Sequence, residues 1–165
     1  MLREMLRLQF KPLKFHPTFG PRFDLERIID DYVLMCMFVG NDFIPHLPHM
    51  DIADGALNMM MAVYREAVPS LLGGYITDKA KVHQGRLELF LREIARREPL
   101  YFQYRAKEDK DPQWQGDGYK DHYYQSKLGI PPGESEASQQ ARRDVARSYL
   151  EGLYWVLTYY HEGVR

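Results

Sequence analysis

The run Val39-Gly40-Asn41-Asp42-Phe43-Ile44-Pro45-His46-Leu47-Pro48-His49-Met50-Asp51 sets a carboxylate, Asp42, just past the end of a strongly apolar segment. Two chemistries are open to it. Asp42 and Asn41 can cap the following turn, accepting hydrogen bonds from nearby backbone N–H groups as short polar side chains do. Alternatively, Asp42 can be a hard oxygen ligand for a divalent cation such as magnesium, a site that needs further carboxylates and waters. Spacing alone leaves both readings open, and one aspartate cannot build the second. His46 and His49 flank Pro48, so they do not share a helical face and no zinc pair is expected there.

The residues before the loop must position it. Asp24 is a suitable N-cap, and the chain then runs through Leu25, Ile28, Ile29 and Tyr32 into Val33 to Val39 with no polar side chain in that last stretch except the thiol of Cys36. A helix apolar on nearly every side is buried. Gly40 can take the left-handed conformation that stops it, and Pro45 and Pro48 keep the chain from resuming one.

Elsewhere the pattern is mainly helical. Leu2, Met5, Leu6 and Leu8 suggest a short opening helix ending before Pro12, and 11–21 reads as an irregular loop. Asp54 can cap a helix through Ala67 whose Leu57, Met60, Met61 and Tyr64 form a core stripe. Pro69 and Gly73-Gly74 break it, after which Tyr75-Ile76-Thr77 can pair with Lys81-Val82-His83 in a short hairpin. Leu87, Phe90, Leu91 and Ile94 mark an amphipathic helix with Arg92, Arg96 and Arg97 on a solvated face. The polar stretch 107–118, with Trp114 its only large apolar residue, is the best linker, and Tyr119 to Leu128 reads as a helix closed by Gly129. Val145, Tyr149, Leu153, Val156 and Tyr160 then carry a strong helical period, with Ser135 or Ser138 as cap. Tyr154, Trp155, Tyr159, Tyr160 and His161 can stack on nucleobases, although aromatics at helical spacing more commonly pack in a core. The fold class expected is mainly α, with at most a short β-hairpin.

Composition bounds the rest. At 165 residues, 45% hydrophobic and 13% aromatic, the chain supports a real core. A net charge of -1 gives no overall basic surplus for nucleic acid, which leaves local patches open. The lone Cys36 excludes an internal disulfide and fits a reducing, intracellular setting. No leader is evident, and Val33 to Val39 is too short to cross a bilayer, so a soluble protein away from membranes is expected. A glycine-rich phosphate loop, Cys-x-x-Cys and H-E-x-x-H are all absent.

Four blocks of sequence carry a resemblance: Phe23 to Asp31 (FDLERIIDD), Val39 to Pro48 (VGNDFIPHLP), Gly73 to Thr77 (GGYIT) and Tyr149 to Leu157 (YLEGLYWVL). In this order they resemble the Xrn family of 5′-to-3′ exoribonucleases. The resemblance implies a fragment of a larger α/β nuclease core, with 1–105 from the end of a first nuclease region, 106–118 a linker and 119–165 the helical part of a second. It implies that Asp42 is a catalytic metal ligand for Mg2+ or Mn2+ in a two-ion site completed by residues outside this chain. Asn41 and His46 are weaker candidates for orienting Asp42 or its waters. Asp30 and Asp31 are further candidates, for which a cap or an ion pair with Arg27 is the preferred reading. The implied substrate is RNA with a 5′-monophosphate, degraded to mononucleotides, with the remainder of the catalytic region as partner. No RNA-binding residue is assigned, the cytoplasmic and nuclear branches are not separated, and the fragment alone is expected to be inactive. The alternative is a helical scaffold or protein-interaction module without catalytic role.

Overall fold

A computed structural model describes residues 1–108 and 118–163. Helix α1 (Leu2–Gln9) is followed by a single turn, α2 (Lys11–Lys14), and a 3-10 turn at Gly20–Arg22. The stretch expected to be an irregular loop therefore holds two short helical turns, both compatible with proline because each places it at the first helical positions, where no amide donor is required. Helix α3 (Leu25–Met37) starts as anticipated, with the Asp24 carboxylate accepting from the Glu26 amide at 2.9 Å.

Helix α4 (Ala56–Ala67) is preceded by Gly55 rather than Asp54 at the cap position. Asp51 organises this entry instead: its side chain accepts from Ala53 N–H at 2.8 Å, and its carbonyl accepts from Asp54 and Ala56. Pro69 does not end the helix, because the chain continues through one wide π turn, Val68–Leu72, before Gly73. Strands β1 (Thr77–Asp78) and β2 (Lys81–Val82) pair antiparallel, extended by a bond from His83 N–H to the Ile76 carbonyl at 2.8 Å. Helix α5 (Gln84–Ala95) begins at His83, whose Nδ1 accepts from Arg86 N–H. Its Arg92 and Arg96 pair with Glu88 and Glu93, a solvated face as expected.

Helices α6 (Glu98–Glu108), α7 (Tyr119–Leu128) and α8 (Glu136–Glu162) complete the described elements, and the fold is mainly α with one small hairpin. Most of the expected linker, including Trp114, lies outside the described residues; its first positions, 107 and 108, are the end of α6. Among the described residues no helix is long and apolar enough to cross a membrane.

The chain divides into two compact units, residues 1–96 with 153–165, and residues 97–152. In the second, Phe102 stacks on Tyr119 with ring centroids 4.3 Å apart. Asp121 accepts from Arg142 at 2.5 Å and from Gly133 N–H at 3.2 Å, and the Arg142 guanidinium lies over Tyr124. Ser135 rather than Ser138 caps α8, accepting from Ser138 N–H. Burial pushes the Tyr149 hydroxyl, beside Tyr123, up to about 12.

The first unit buries Leu6, Phe10, Phe19, Ile28, Leu34, Met35, Met60, Tyr64, Ile76 and Phe90 completely. At its centre is an acid. Asp31 is fully buried on α3 and accepts four hydrogen bonds: from Tyr64 Oη on α4 (2.5 Å), Ile76 N–H (2.9 Å), Thr77 N–H (2.7 Å) and Thr77 Oγ1 (2.6 Å). No ion pair joins it to Arg27, which instead donates to the Thr77 carbonyl at 2.6 Å and lies over the Tyr75 ring. Asp31 thus neither caps nor pairs with Arg27; its oxygens are taken by the backbone and hydroxyls of other elements. Arg86 clamps the same segment by donating to the Leu72 and Tyr75 carbonyls. A Cβ on Gly74 would lie 2.9 Å from the Arg86 Cζ, so the second glycine of the GGYIT block leaves room for that guanidinium.

Burial raises the Asp31 pKa above its ordinary value, and the bonds from Thr77, Tyr64 and Ile76 oppose the rise without cancelling it. Stability from this group is therefore complete below the unfolded value of about 4 and declines as the pH climbs through the raised native value. Thr77→Val removes a donor that favours the charged form, so its cost should be about 1–2 kcal/mol and should grow as pH rises from 4 toward 7. Urea midpoints for wild type and variant across that range measure it.

Candidate functional site

After α3 the chain turns at Phe38-Val39 and reaches Gly40 with φ of +91°. A Cβ at Gly40 would also sit 3.1 Å from the His46 amide nitrogen, so the left-handed conformation and the close return of the loop both favour glycine. The loop closes through Leu47 N–H to the Phe38 carbonyl (3.1 Å) and Asn41 N–H to the Ile44 carbonyl (3.0 Å).

Of the two polar residues at the loop tip, one takes the capping role that the sequence left open to both. Asn41 is the cap: its Oδ1 accepts from Phe43 N–H at 2.8 Å and from Ile44 N–H at 3.1 Å. Its Nδ2 is buried without a partner, so the acceptor end does the structural work. Asp42 is exposed, and no hydrogen bond or ion pair to its carboxylate is found among the described residues. It therefore takes no part in capping, and its oxygens face solvent. His46 is also exposed and donates through Nδ1 to the Leu47 carbonyl at 2.9 Å. Asn41 and His46 thus shape the loop backbone rather than bonding to the Asp42 carboxylate.

Beside Asp42 is a cluster of rings. Phe43 meets Trp155 and Tyr159 edge-on, both at centroid distances of 5.3 Å. Trp155 and Tyr159, one turn apart on α8, are stacked at 5.5 Å with planes 7° apart, and Tyr160 adjoins Tyr159 at 5.9 Å. The α8 stripe separates by chemistry: Leu153, Val156 and Leu157 are fully buried, whereas Trp155 and Tyr160 are each 56% exposed. Packing in a core, the commoner use of such aromatics, does not hold for these two. The aliphatic residues fill the buried side of the helix, and the rings lie on its outer face, where Trp155 and Tyr159 meet Phe43 of the Asp42 loop. Phe43, 47% exposed, was not singled out by spacing; its position directly after Asp42 was the available signal.

A divalent cation fits part of this site. Asp42 offers an unengaged hard-oxygen donor of the kind magnesium and manganese prefer. Among the described residues, however, no group of three or more His, Cys, Asp or Glu could hold a metal ion. Asp31 is enclosed in its own hydrogen-bond set and is not available as a ligand. The carboxylate is presented; further ligands are not supplied by the described part of the chain.

A model of the Xrn1 helical domain family matches residues 22–116 and 109–165. The chain belongs to this family. Its relatives include a 5′-3′ exoribonuclease 1 of Schizosaccharomyces pombe, 42% identical over 111 residues that cover 67% of this chain and 8% of that protein. A 5′-3′ exoribonuclease 2 homolog of Drosophila melanogaster is 29% identical over 238 aligned positions, covering 99% of this chain and 25% of the relative. A 5′-3′ exoribonuclease 2 of Emericella nidulans is 42% identical over 88 residues, 53% of this chain and 8% of the relative. The Xrn1 helical domain family assignment thus covers nearly the whole chain, which spans a quarter or less of these relatives' lengths.

Asn41→Ala should destabilise the first unit by about 1–2 kcal/mol, because it leaves two loop amides without their acceptor. Asn41→Asp keeps that acceptor and should recover most of the loss. Denaturant titrations of the two variants beside wild type provide the comparison.

Proposed function

We propose that this chain is the helical portion of a 5′-to-3′ exoribonuclease and that Asp42 supplies one carboxylate to a metal site whose remaining ligands lie outside it. The observation that carries the reading is the division of labour at the loop tip. Asn41 takes the two backbone bonds that capping requires, which leaves the Asp42 carboxylate exposed on a closed loop with no bond to it found among the described residues. The family match and the relatives' names, 5′-3′ exoribonucleases, support a nucleolytic use for that carboxylate.

In this reading Asp42 would hold Mg2+ or Mn2+ together with acidic residues of the remaining catalytic region. Bound ions of this type lower the pKa of an attacking water and neutralise charge on the phosphodiester oxygens. The chain's own part is positional. Asn41, Gly40 and the Phe38–Leu47 bond set where the carboxylate projects, and the exposed Trp155 ring against the neighbouring Phe43 is of the kind on which bases of single-stranded RNA stack. The substrate proposed is RNA with a 5′-monophosphate, shortened one nucleotide at a time. With one carboxylate presented, the 165 residues alone are expected to be inactive.

The test is an assay of the complete nuclease, wild type beside Asp42→Ala, on 5′-monophosphate and 5′-hydroxyl RNA with and without magnesium. A monophosphate-selective, metal-dependent activity should fall at least about a hundredfold in the variant, with the unfolding midpoint unchanged. Full activity in the variant would return this segment to the role of a helical scaffold. Processive digestion by the isolated chain would overturn the claim that the other ligands lie elsewhere.

A further inference from the structure

The Asp42 loop is fastened by hydrogen bonds on both sides and, on the side after Asp42, by rings as well. Before Asp42, Asn41 binds the backbone through its Oδ1 and its own N–H. After it, the chain is anchored by the Phe43 side chain, which reaches the wall formed by Trp155 and Tyr159 of α8. The two wall rings stand nearly parallel, 7° apart, and Phe43 approaches both at the same 5.3 Å. Edge-to-face contact of this kind is directional, so it restrains where the ring sits. All three residues belong to the first unit.

Asp42 therefore has a fixed neighbour on each side and a side chain with no internal tether. A ligand must be held to about 0.5 Å to be useful, and here the backbone on either side supplies that restraint. Phe43 has its N–H captured by Asn41 and its ring captured by α8, which joins the two fastenings at one residue.

We propose that Phe43, seated on Trp155 and Tyr159, is a positioning residue for the metal ligand Asp42, and that α8 thereby sets the geometry of the metal loop. This rests on the reading of Asp42 as a ligand. The rings do not touch the ion; they act through the Asp42 backbone.

Two measurements on Trp155→Ala and Trp155→Phe test it. Hydrogen exchange in the 165-residue chain reads the loop directly. In Trp155→Ala the amides of Phe43 and Ile44 should exchange about fivefold to tenfold faster, while Ile76 and Thr77, which report on the Asp31 cluster, stay at wild-type rates. Trp155→Phe keeps an aromatic wall and should restore slow exchange. Mn2+ binding to the complete nuclease without RNA, followed by electron paramagnetic resonance, should weaken about fivefold in Trp155→Ala and recover in Trp155→Phe. Unchanged exchange at Phe43 and Ile44, or a rise shared equally by Ile76 and Thr77, would overturn the proposal. So would wild-type Mn2+ binding by Trp155→Ala alongside loss of binding in Asp42→Asn. Equal Mn2+ binding by wild type and Asp42→Asn would instead overturn the reading of Asp42 itself, and this proposal with it.

Discussion

The first unit depends on a buried carboxylate. Asp31 gathers donors from α4 and from the segment leading into the hairpin, so three stretches distant in sequence converge on two oxygen atoms. Burying such a group is costly, and the cost is offset only if every lone pair is used. The fold meets that demand with two hydroxyls and two amides. Tyr64 is held protonated by its own burial and by the charge of Asp31, which keeps it a donor. Removing any one partner leaves the others facing an acid in a medium that does not solvate it. The aromatic packing of Phe10 and Phe90 around Tyr64 is correspondingly specific.

Around this centre the arginines act on backbone rather than on acids. Arg27 and Arg86 hold carbonyls of the stretch Leu72 to Thr77, so a segment with almost no regular secondary structure keeps a defined path. The GGYIT block is thereby explained by its neighbours: Gly74 makes room for Arg86, Tyr75 receives Arg27 and bonds to Asp24 N–H and the Arg22 carbonyl, and Ile76 and Thr77 serve Asp31.

Periodic features were legible in the sequence. The Asp24 cap, the apolar α3, the methionine stripe of α4, the hairpin and the long α8 all follow from spacing and local chemistry, because each is a short-range property. What spacing could not give were choices made by tertiary contact. Asp31 reads from its neighbours as a cap or an ion-pair partner of Arg27, and only the approach of Tyr64, Ile76 and Thr77 makes it a hub. Asp54 had the right chemistry for a cap but lost the position to Gly55. Pro69 looked like a stop, yet a π turn absorbs it. At the loop, spacing left open whether Asp42 shares the cap with Asn41, and the folded backbone gives both amide bonds to Asn41. The outward rings of α8 were hidden for the same reason, since a helical period shows that a stripe exists but not that its aromatic edge stays uncovered.

The loop tip has one more consequence. Because Asn41 holds the turn and no bond to the Asp42 carboxylate is found among the described residues, the architecture and the proposed chemistry fall to adjacent but separate residues. Asp31 cannot drift to another residue without undoing the core, whereas Asp42 can be exchanged with the scaffold intact. On the proposed role of Asp42, the fold can therefore outlive its chemistry: a descendant with another side chain at position 42 would still fold and keep its surfaces, and could be retained for them alone.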